Sequence, residues 1–196
     1  MFLIAHAGIA AAPASAVLAW WQENRGFSRE TPDLRWLLLG SVLPDLVDKP
    51  LGQAVLRSYF QNGRIFFHTF LFTILFLLGG ASQWKRRGDS RLFMLACGML
   101  AHVVVDRVWV EPTTAFWPSL GPFLRHPSLG TIMEQVMEYL REPSFWVEEV
   151  GGGALLVGSL RLLGVRSLRD LRQFAGHGTL PALASPLPED GRGGRG

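Results

Sequence analysis

The stretch that decides the fold is Leu100-Ala-His-Val-Val-Val-Asp-Arg107, which places two ionisable side chains inside an apolar run. His102 and Asp106 are four residues apart, so on a helix they project from the same face, one turn apart. That spacing allows both to bind one metal ion. Ionisable residues in such runs are rare and face a protein interior, a partner or a cavity. The alternative is that the pair only hydrogen-bonds within the bundle and holds helices together.

Composition indicates a helical membrane protein. The chain has 196 residues, of which 48% are hydrophobic and only 18% charged, and its mean hydropathy is +0.22. These values are too apolar for an ordinary soluble domain. The formal net charge is +3, but the basic residues lie beside apolar segments, where they set topology rather than bind nucleic acid. The single Cys97 excludes an intrachain disulfide.

The predicted fold is all-α, a polytopic membrane bundle of about five spans with a short interfacial helix. The five apolar runs cover residues 2–21, 34–47, 65–80, 92–110 and 145–163. Thr131 and Glu134 have the spacing of a capping box and open an amphipathic segment, which we expect to lie at the membrane surface. Residues 1–175 form the predicted membrane-embedded domain, and the Pro/Gly-rich residues 176–196 are expected to be a disordered tail.

The basic clusters predict the orientation of these spans. The densest lie at residues 85–91 and 161–172, and the positive-inside rule places both in the cytoplasm. Five spans in the inner membrane then require the amino terminus outside and the carboxyl terminus in the cytoplasm. The first and third runs start outside, and the second and fourth end there. Five candidate ligands therefore converge at one depth near the outer surface: His6, Asp45, His68, His102 and Asp106.

Imidazole and carboxylate groups together predict a divalent metal site. Such a ligand set suits zinc, with iron or manganese as alternatives, and its size allows one or two ions. A bound ion of this kind lowers the pKa of its water toward about 7 and so generates a hydroxide nucleophile. Arg64 and Asp48 are the candidate catalytic residues, and Arg64 or Lys49 would neutralise a phosphate oxygen. Asp48 shares a face with Asp45 if the turn stays helical; the alternative is a solvated helix end.

A set of short motifs in fixed order gives the sequence a resemblance to a known family. The motifs are His6, Pro44-Asp45, Arg64 with His68-Thr69, His102-x-x-x-Asp106 and Trp117-Pro118. They resemble the membrane-bound metal-dependent hydrolases described as LexA-binding, inner-membrane-associated hydrolases, a family distantly similar to zinc-dependent phospholipases C. The resemblance covers roughly residues 1–121.

The resemblance implies metal-dependent hydrolysis of a phosphoester. The positions that match the family are His6, Asp45, His68, His102 and Asp106. One departure matters, because Gly63-Arg64-Ile65 stands where many members carry His-Arg-Gly. One possible ligand is therefore missing, which puts a second metal ion in doubt.

The sequence thus favours an integral membrane hydrolase that acts on a phosphoester, of a lipid or a lipid-linked molecule, at the outer face of the bilayer. One alternative is a non-enzymatic carrier of metal ions or protons, because polar groups in spans often mark ion pathways. No candidate ligand lies in the inner half of any run, which argues against a pathway across the bilayer. A second alternative is a structural helical membrane protein in which these groups only hold helices together.

Overall fold

Helices dominate the architecture, and the predicted all-α class is confirmed. A computed structural model describes residues 3–24, 31–126, 130–178 and 180–184, and no strand occurs within these ranges. The helices are α1 Leu3–Asn24, α2 Leu34–Pro50, α3 Phe70–Arg87, α4 Arg91–Val105, α5 Pro112–Ala115, α6 Ile132–Arg141, α7 Pro143–Leu162, α8 Leu168–His177 and α9 Pro181–Ala184.

The long helices pack as two close pairs that also contact each other. α1 packs along α7 and α2 packs along α4, while α3 lies against α4 and α1 contacts α2. Glycine allows the closest approaches. A Cβ atom on Gly98 of α4 would overlap the carbonyl oxygen of Leu37 in α2, and one on Gly8 of α1 would overlap that of Gly152 in α7. The backbones therefore touch at both pairs.

Hydrogen bonds between elements show which helix ends lie together. The amides of Ile4 and Ala5, at the start of α1, donate to the carboxylate of Glu149 near the start of α7, at 3.2 and 3.4 Å. At the opposite end of the bundle, the Arg35 guanidinium at the start of α2 donates to the carbonyl oxygen of Ala175 in α8, at 3.0 Å. α1 and α7 thus run in the same direction, and α2 runs against them.

In two apolar runs the helix does not cover the whole run, and two site residues consequently lie in turns. α3 begins at Phe70 because the Thr69 hydroxyl caps it, accepting from the amide of Phe72 at 3.2 Å. Residues 66–68, including His68, form a 3₁₀ turn before that cap. α4 ends at Val105, and Arg107 adopts a left-handed conformation with φ of 50°. Asp106 therefore lies just beyond the helix that carries His102.

Helix length and hydropathy do not confirm five spans. Within the described residues, α1 is the one helix that is both long and apolar enough to cross a membrane, and α4 is apolar but shorter. The predicted amphipathic helix is present as α6, and its capping box is formed by Thr131 and Glu134. None of the α6 residues is buried.

The carboxyl-terminal part of the described chain packs on the core beyond the predicted domain boundary at residue 175. α8 continues to His177, and Leu180 and Leu183 are buried in the cluster that also holds Leu34 and Leu163. Burial of the apolar surface of these two leucines explains why this segment packs against the helices. The remainder of the predicted tail, residues 185–196, lies outside the described residues.

Candidate metal centre

Four of the predicted ligands meet at one end of the bundle. Asp45, His68, His102 and Asp106 each present one ligand atom, and these atoms all lie within 4.8 Å of one another. They come from the carboxyl-terminal half of α2, the 3₁₀ turn before α3, the last turn of α4 and the residue after it. The predicted convergence of ligands from separate apolar segments is thus confirmed for these four side chains.

The end of α4 itself favours a cation at this point. α4 ends beside the cluster, so the negative end of its helix dipole is directed toward it. The side chains of His68 and His102 are fully buried, and about a tenth of each carboxylate side chain is exposed. The site is therefore a partly dry layer that is open on one side.

Hydrogen bonds fix the tautomer of both histidines. His102 Nδ1 lies 2.7 Å from the carbonyl oxygen of Ser41, which can only accept, so this nitrogen carries the hydrogen. His68 Nδ1 lies 2.8 Å from the carboxylate of Asp48 and carries the hydrogen for the same reason. Both neutral rings then direct the Nε2 lone pair inward. The two Nε2 atoms are only 3.1 Å apart, so the lone pairs repel each other unless a cation or a proton bridges them.

Asp45 directs one free carboxylate oxygen into the same space. Its Oδ2 accepts from Lys49 Nζ at 2.6 Å. Its Oδ1 is buried and has no hydrogen-bond partner among the described residues. This oxygen lies 3.5 Å from His68 Nε2 and 3.9 Å from His102 Nε2. A buried, unpaired carboxylate oxygen is costly without a compensating cation.

Asp106 completes the cluster and connects it to two further predicted residues. Its Oδ2 lies 3.8 Å from His68 Nε2 and 3.9 Å from His102 Nε2, and it contacts Arg64 at 3.0 Å. Its Oδ1 contacts His6 Nε2, also at 3.0 Å. The His6 ring stacks on the His102 ring with a centroid separation of 4.3 Å. The structure therefore places His6 behind Asp106, next to the four-atom cluster.

The dimensions of the cluster fit a divalent metal ion. Ligand atoms bound tetrahedrally at about 2.0–2.2 Å from zinc are about 3.3–3.6 Å apart. The separations that involve the two Nε2 atoms run from 3.1 Å between the histidines to 3.9 Å to the carboxylates. Two imidazoles and two carboxylates are ligands that zinc, iron and manganese all accept. Small shifts of the side chains would make a four-ligand site.

Two cationic side chains flank the cluster at its open side. Arg64 is bound to Asp106 and also lies 3.7 Å from Glu111, while Lys49 is bound to Asp45. About a third of each cation's side chain is exposed. Glu111 also contacts His126 at 3.8 Å, so the rim carries both signs of charge. Arg64 and Lys49 are placed where an anion could approach the four ligands.

Asp48 lies behind His68 and not in the ligand cluster. α2 stays helical through both aspartates, yet the two carboxylates have different neighbours. Asp48 is fully buried and accepts from the backbone amides of Ile65, Phe67 and His68 as well as from the His68 ring. These contacts place Asp48 where it supports a ligand and separate it from the open side of the site.

Sequence reasoning missed two groups that shape this end of the bundle. The carbonyl oxygen of Ser41 orients His102, and no side-chain pattern signals a backbone acceptor. The Glu149 carboxylate caps the helix that carries His6. An acidic residue that meets a helix amino terminus stabilises it, but a contact over such a sequence separation depends on the fold.

The comparison with other proteins identifies the family. Neither the curated proteins nor the solved structures include a match to this chain. The family described as YdjM inner membrane protein matches residues 1–163, which is most of the sequence and includes all four clustered ligands. This match confirms the membrane-associated part of the resemblance noted above and locates the protein at the inner membrane. The chain belongs to the YdjM inner membrane protein family.

Proposed function

We propose that this chain is an integral membrane, metal-dependent hydrolase that cleaves a phosphoester. The observation that carries the proposal is the pair of inward-facing Nε2 atoms of His68 and His102, 3.1 Å apart. Both Nδ1 atoms are engaged elsewhere, so without a cation or a bridging proton the two lone pairs would be in repulsive contact. The unpaired Oδ1 of Asp45 faces the same point. A divalent cation, most simply zinc, satisfies all of these atoms together.

A zinc ion in such a site supplies a Lewis acid and activates water. The protein's own contribution is to hold the ligands and to bind the substrate's negative charge. The Arg64 guanidinium suits a phosphate because its fork matches two phosphate oxygens. Lys49 adds a second positive charge at the same rim. The inner-membrane family favours a phosphoester of a lipid or a lipid-linked molecule as substrate.

We further propose the five-span arrangement, with α1, α2, α3, α4 and α7 as the spans and α6 at the interface. The clustered ligands lie beside the carboxyl-terminal half of α2, the end of α4 and the start of α3. The opposite end carries the Lys85, Arg86 and Arg87 cluster in the last turn of α3. Positive charges favour the cytoplasmic side, which assigns the metal centre to the outer face.

The role of His6 depends on how many ions the site holds. With one ion, it supports Asp106 through the 3.0 Å contact to the second carboxylate oxygen. With two ions, it would be a ligand of the second. Gly63 stands where the resemblance to the hydrolase family noted above implies a histidine, and this favours one ion.

Metal analysis of the purified protein tests the site. The wild type should contain about one zinc per chain after purification without chelator, and His102→Ala should lose it. His177→Ala is the matched control, because His177 is exposed at the end of α8 and should not affect metal content. A wild-type protein that folds normally and binds no zinc, iron or manganese would rule the proposal out.

Turnover and transport assays separate the hydrolase from the two alternatives. The hydrolase should release nitrophenol from bis(p-nitrophenyl) phosphate, and Arg64→Gln should slow the reaction with the metal still bound. A carrier would instead show ion flux in proteoliposomes that Asp106→Asn abolishes. With a purely structural role, His102→Ala would lower the thermal stability, and the stability of the wild type would not depend on added zinc.

A further inference from the structure

Residues 65–68 form a short loop whose amides converge on one carboxylate. Asp48 Oδ2 accepts from the amide of Ile65 at 3.0 Å and from that of His68 at 3.1 Å. Its Oδ1 accepts from the amide of Phe67 at 3.2 Å. The fourth donor is His68 Nδ1, at 2.8 Å. Four donors directed at one carboxyl group match an ionised carboxylate, which has about four lone-pair sites and no hydrogen to donate.

Burial makes these four hydrogen bonds energetically important. The side chains of Asp48 and His68 are both 0% exposed, and Ile65 is also fully buried. A buried carboxylate without hydrogen bonds is strongly unfavourable, so the loop conformation and the charge on Asp48 depend on each other. The loop is too short to form a helical turn of its own beyond the 3₁₀ residues 66–68. The conformation of the loop therefore depends on the Asp48 carboxylate in the last turn of α2.

The same carboxylate determines what His68 presents to the cluster. Because Nδ1 donates to Asp48, the hydrogen cannot reside on Nε2 in the neutral ring, and Nε2 keeps its lone pair. That nitrogen lies 3.5 Å from Asp45 Oδ1 and 3.1 Å from His102 Nε2. α2 thus contributes Asp45 to the cluster directly and Asp48 to it indirectly, three residues further along the same helix.

We propose that Asp48 is a positioning residue that shapes the loop 65–68 and holds His68 as the Nδ1–H tautomer, so that Nε2 faces the metal centre. Its carboxylate does not touch the reacting atoms. The metal part of this inference rests on the proposed function, whereas the tautomer is a property of the metal-free protein. Carboxylates that accept from the second nitrogen of a metal-bound histidine typically change metal affinity about 10–100-fold when removed.

The first test is the tautomer of His68 in the metal-free wild type, read from ¹⁵N shifts of histidine-labelled protein in detergent micelles. The expected result is Nδ1–H at His68, with a His68→Gln sample used to assign the signal. A His68 ring that carries a hydrogen on Nε2 and none on Nδ1 in the folded wild type would overturn the proposal without any variant being needed. If the wild type shows Nδ1–H but binds no metal, the proposed function fails and the positioning role stands.

The second test is Asp48→Asn. In this variant an NH₂ donor replaces one of the two carboxylate oxygens that accept from the loop amides. We expect the fixed Nδ1–H tautomer to be lost and the dissociation constant for zinc to rise about 10–100-fold. Asp89→Asn is the control. Asp89 also accepts from a backbone amide, that of Arg91 at 3.0 Å, but it lies just before α4, away from the cluster. Zinc affinity within twofold of wild type in a folded Asp48→Asn protein would contradict the proposal.

Discussion

Two helix pairs in this protein are both closely packed through glycine, but they differ in their importance for the metal centre. At the α2–α4 pair, a Cβ atom on Gly40 or Gly98 would overlap a carbonyl oxygen of the facing helix. At the α1–α7 pair, the same holds for Gly8 against Gly152. The first pair supports the metal centre directly, whereas the second supports only the helix that carries His6. Close helix contact is therefore a general feature of this bundle, and the ligands beside the contact give it a functional role.

The register of the α2–α4 contact explains the link to the site. Ser41 follows Gly40 directly, and its carbonyl oxygen orients His102. His102 lies one turn beyond Gly98 on α4, and Asp45 lies about one turn beyond Ser41 on α2. Any separation of these two helices moves Asp45 away from His102. In the α1–α7 pair, α7 supplies none of the four clustered ligands.

The largest effect is expected for Gly98→Ala. The added methyl group would meet the α2 backbone at Leu37, which cannot move without shifting the helix. Overpacking of this kind costs about 1–3 kcal/mol, and the ligands should also separate. Thermal unfolding in detergent and zinc content per chain measure both results. A destabilised protein with unchanged zinc affinity would show that the helix contact and the site are independent.

Metal removal should have the next largest effect and should act at the same end of the molecule. A ligand at a free concentration about 100 times its dissociation constant stabilises a folded protein by about 2.7 kcal/mol. A chelator should therefore lower the unfolding temperature of the wild type and leave that of His102→Ala unchanged. Excess zinc should restore the wild-type value. Equal responses of the two proteins to the chelator would contradict a site that includes His102.

Gly8→Ala should lower stability without affecting metal binding, unlike Gly98→Ala. Its methyl group would overlap the carbonyl oxygen of Gly152, so we expect a loss of about 1–2 kcal/mol in stability. Zinc content should stay near the wild-type value, because α1 contributes none of the four clustered ligands. Loss of zinc together with stability would instead show that metal binding depends on the position of His6, as a ligand or through its contact with Asp106. The measurements are those used for Gly98→Ala.

The sequence predicted where the ligands meet because alternating helix directions are enough to bring those segment ends together. His102 and Asp106 are recognisable from spacing alone, and Asp45 follows from its place at the end of an apolar run. The turn that holds His68 was not predicted, although Thr69 is a residue typical of helix N-caps and marks the start of α3. An apolar run continues through that cap, which hides the boundary.

The different roles of Asp45 and Asp48 were beyond sequence reasoning. The two aspartates are three residues apart in one helix, so periodicity places them on similar faces. Which carboxylate reaches the cluster and which holds the loop 65–68 depends on how the next segment packs. The attachment of α9 was missed for a related reason. Its Pro/Gly-rich surroundings suggested disorder, but Leu180 and Leu183 are buried in the core.

The smallest effect is expected for Gly158→Ala, which serves as the matched glycine control on α7. A Cβ atom at this position meets nothing within 4 Å, because Gly158 lines an open groove between α1 and α7. Alanine is a better helix former than glycine by up to about 1 kcal/mol, so the variant should be as stable as the wild type or slightly more stable. Thermal unfolding and zinc content should both show this. A clear loss of stability, with a change in the mass of the protein particle in detergent, would mean that another helix occupies the groove. The α1–α7 pair would then have a role in assembly that the α2–α4 pair lacks.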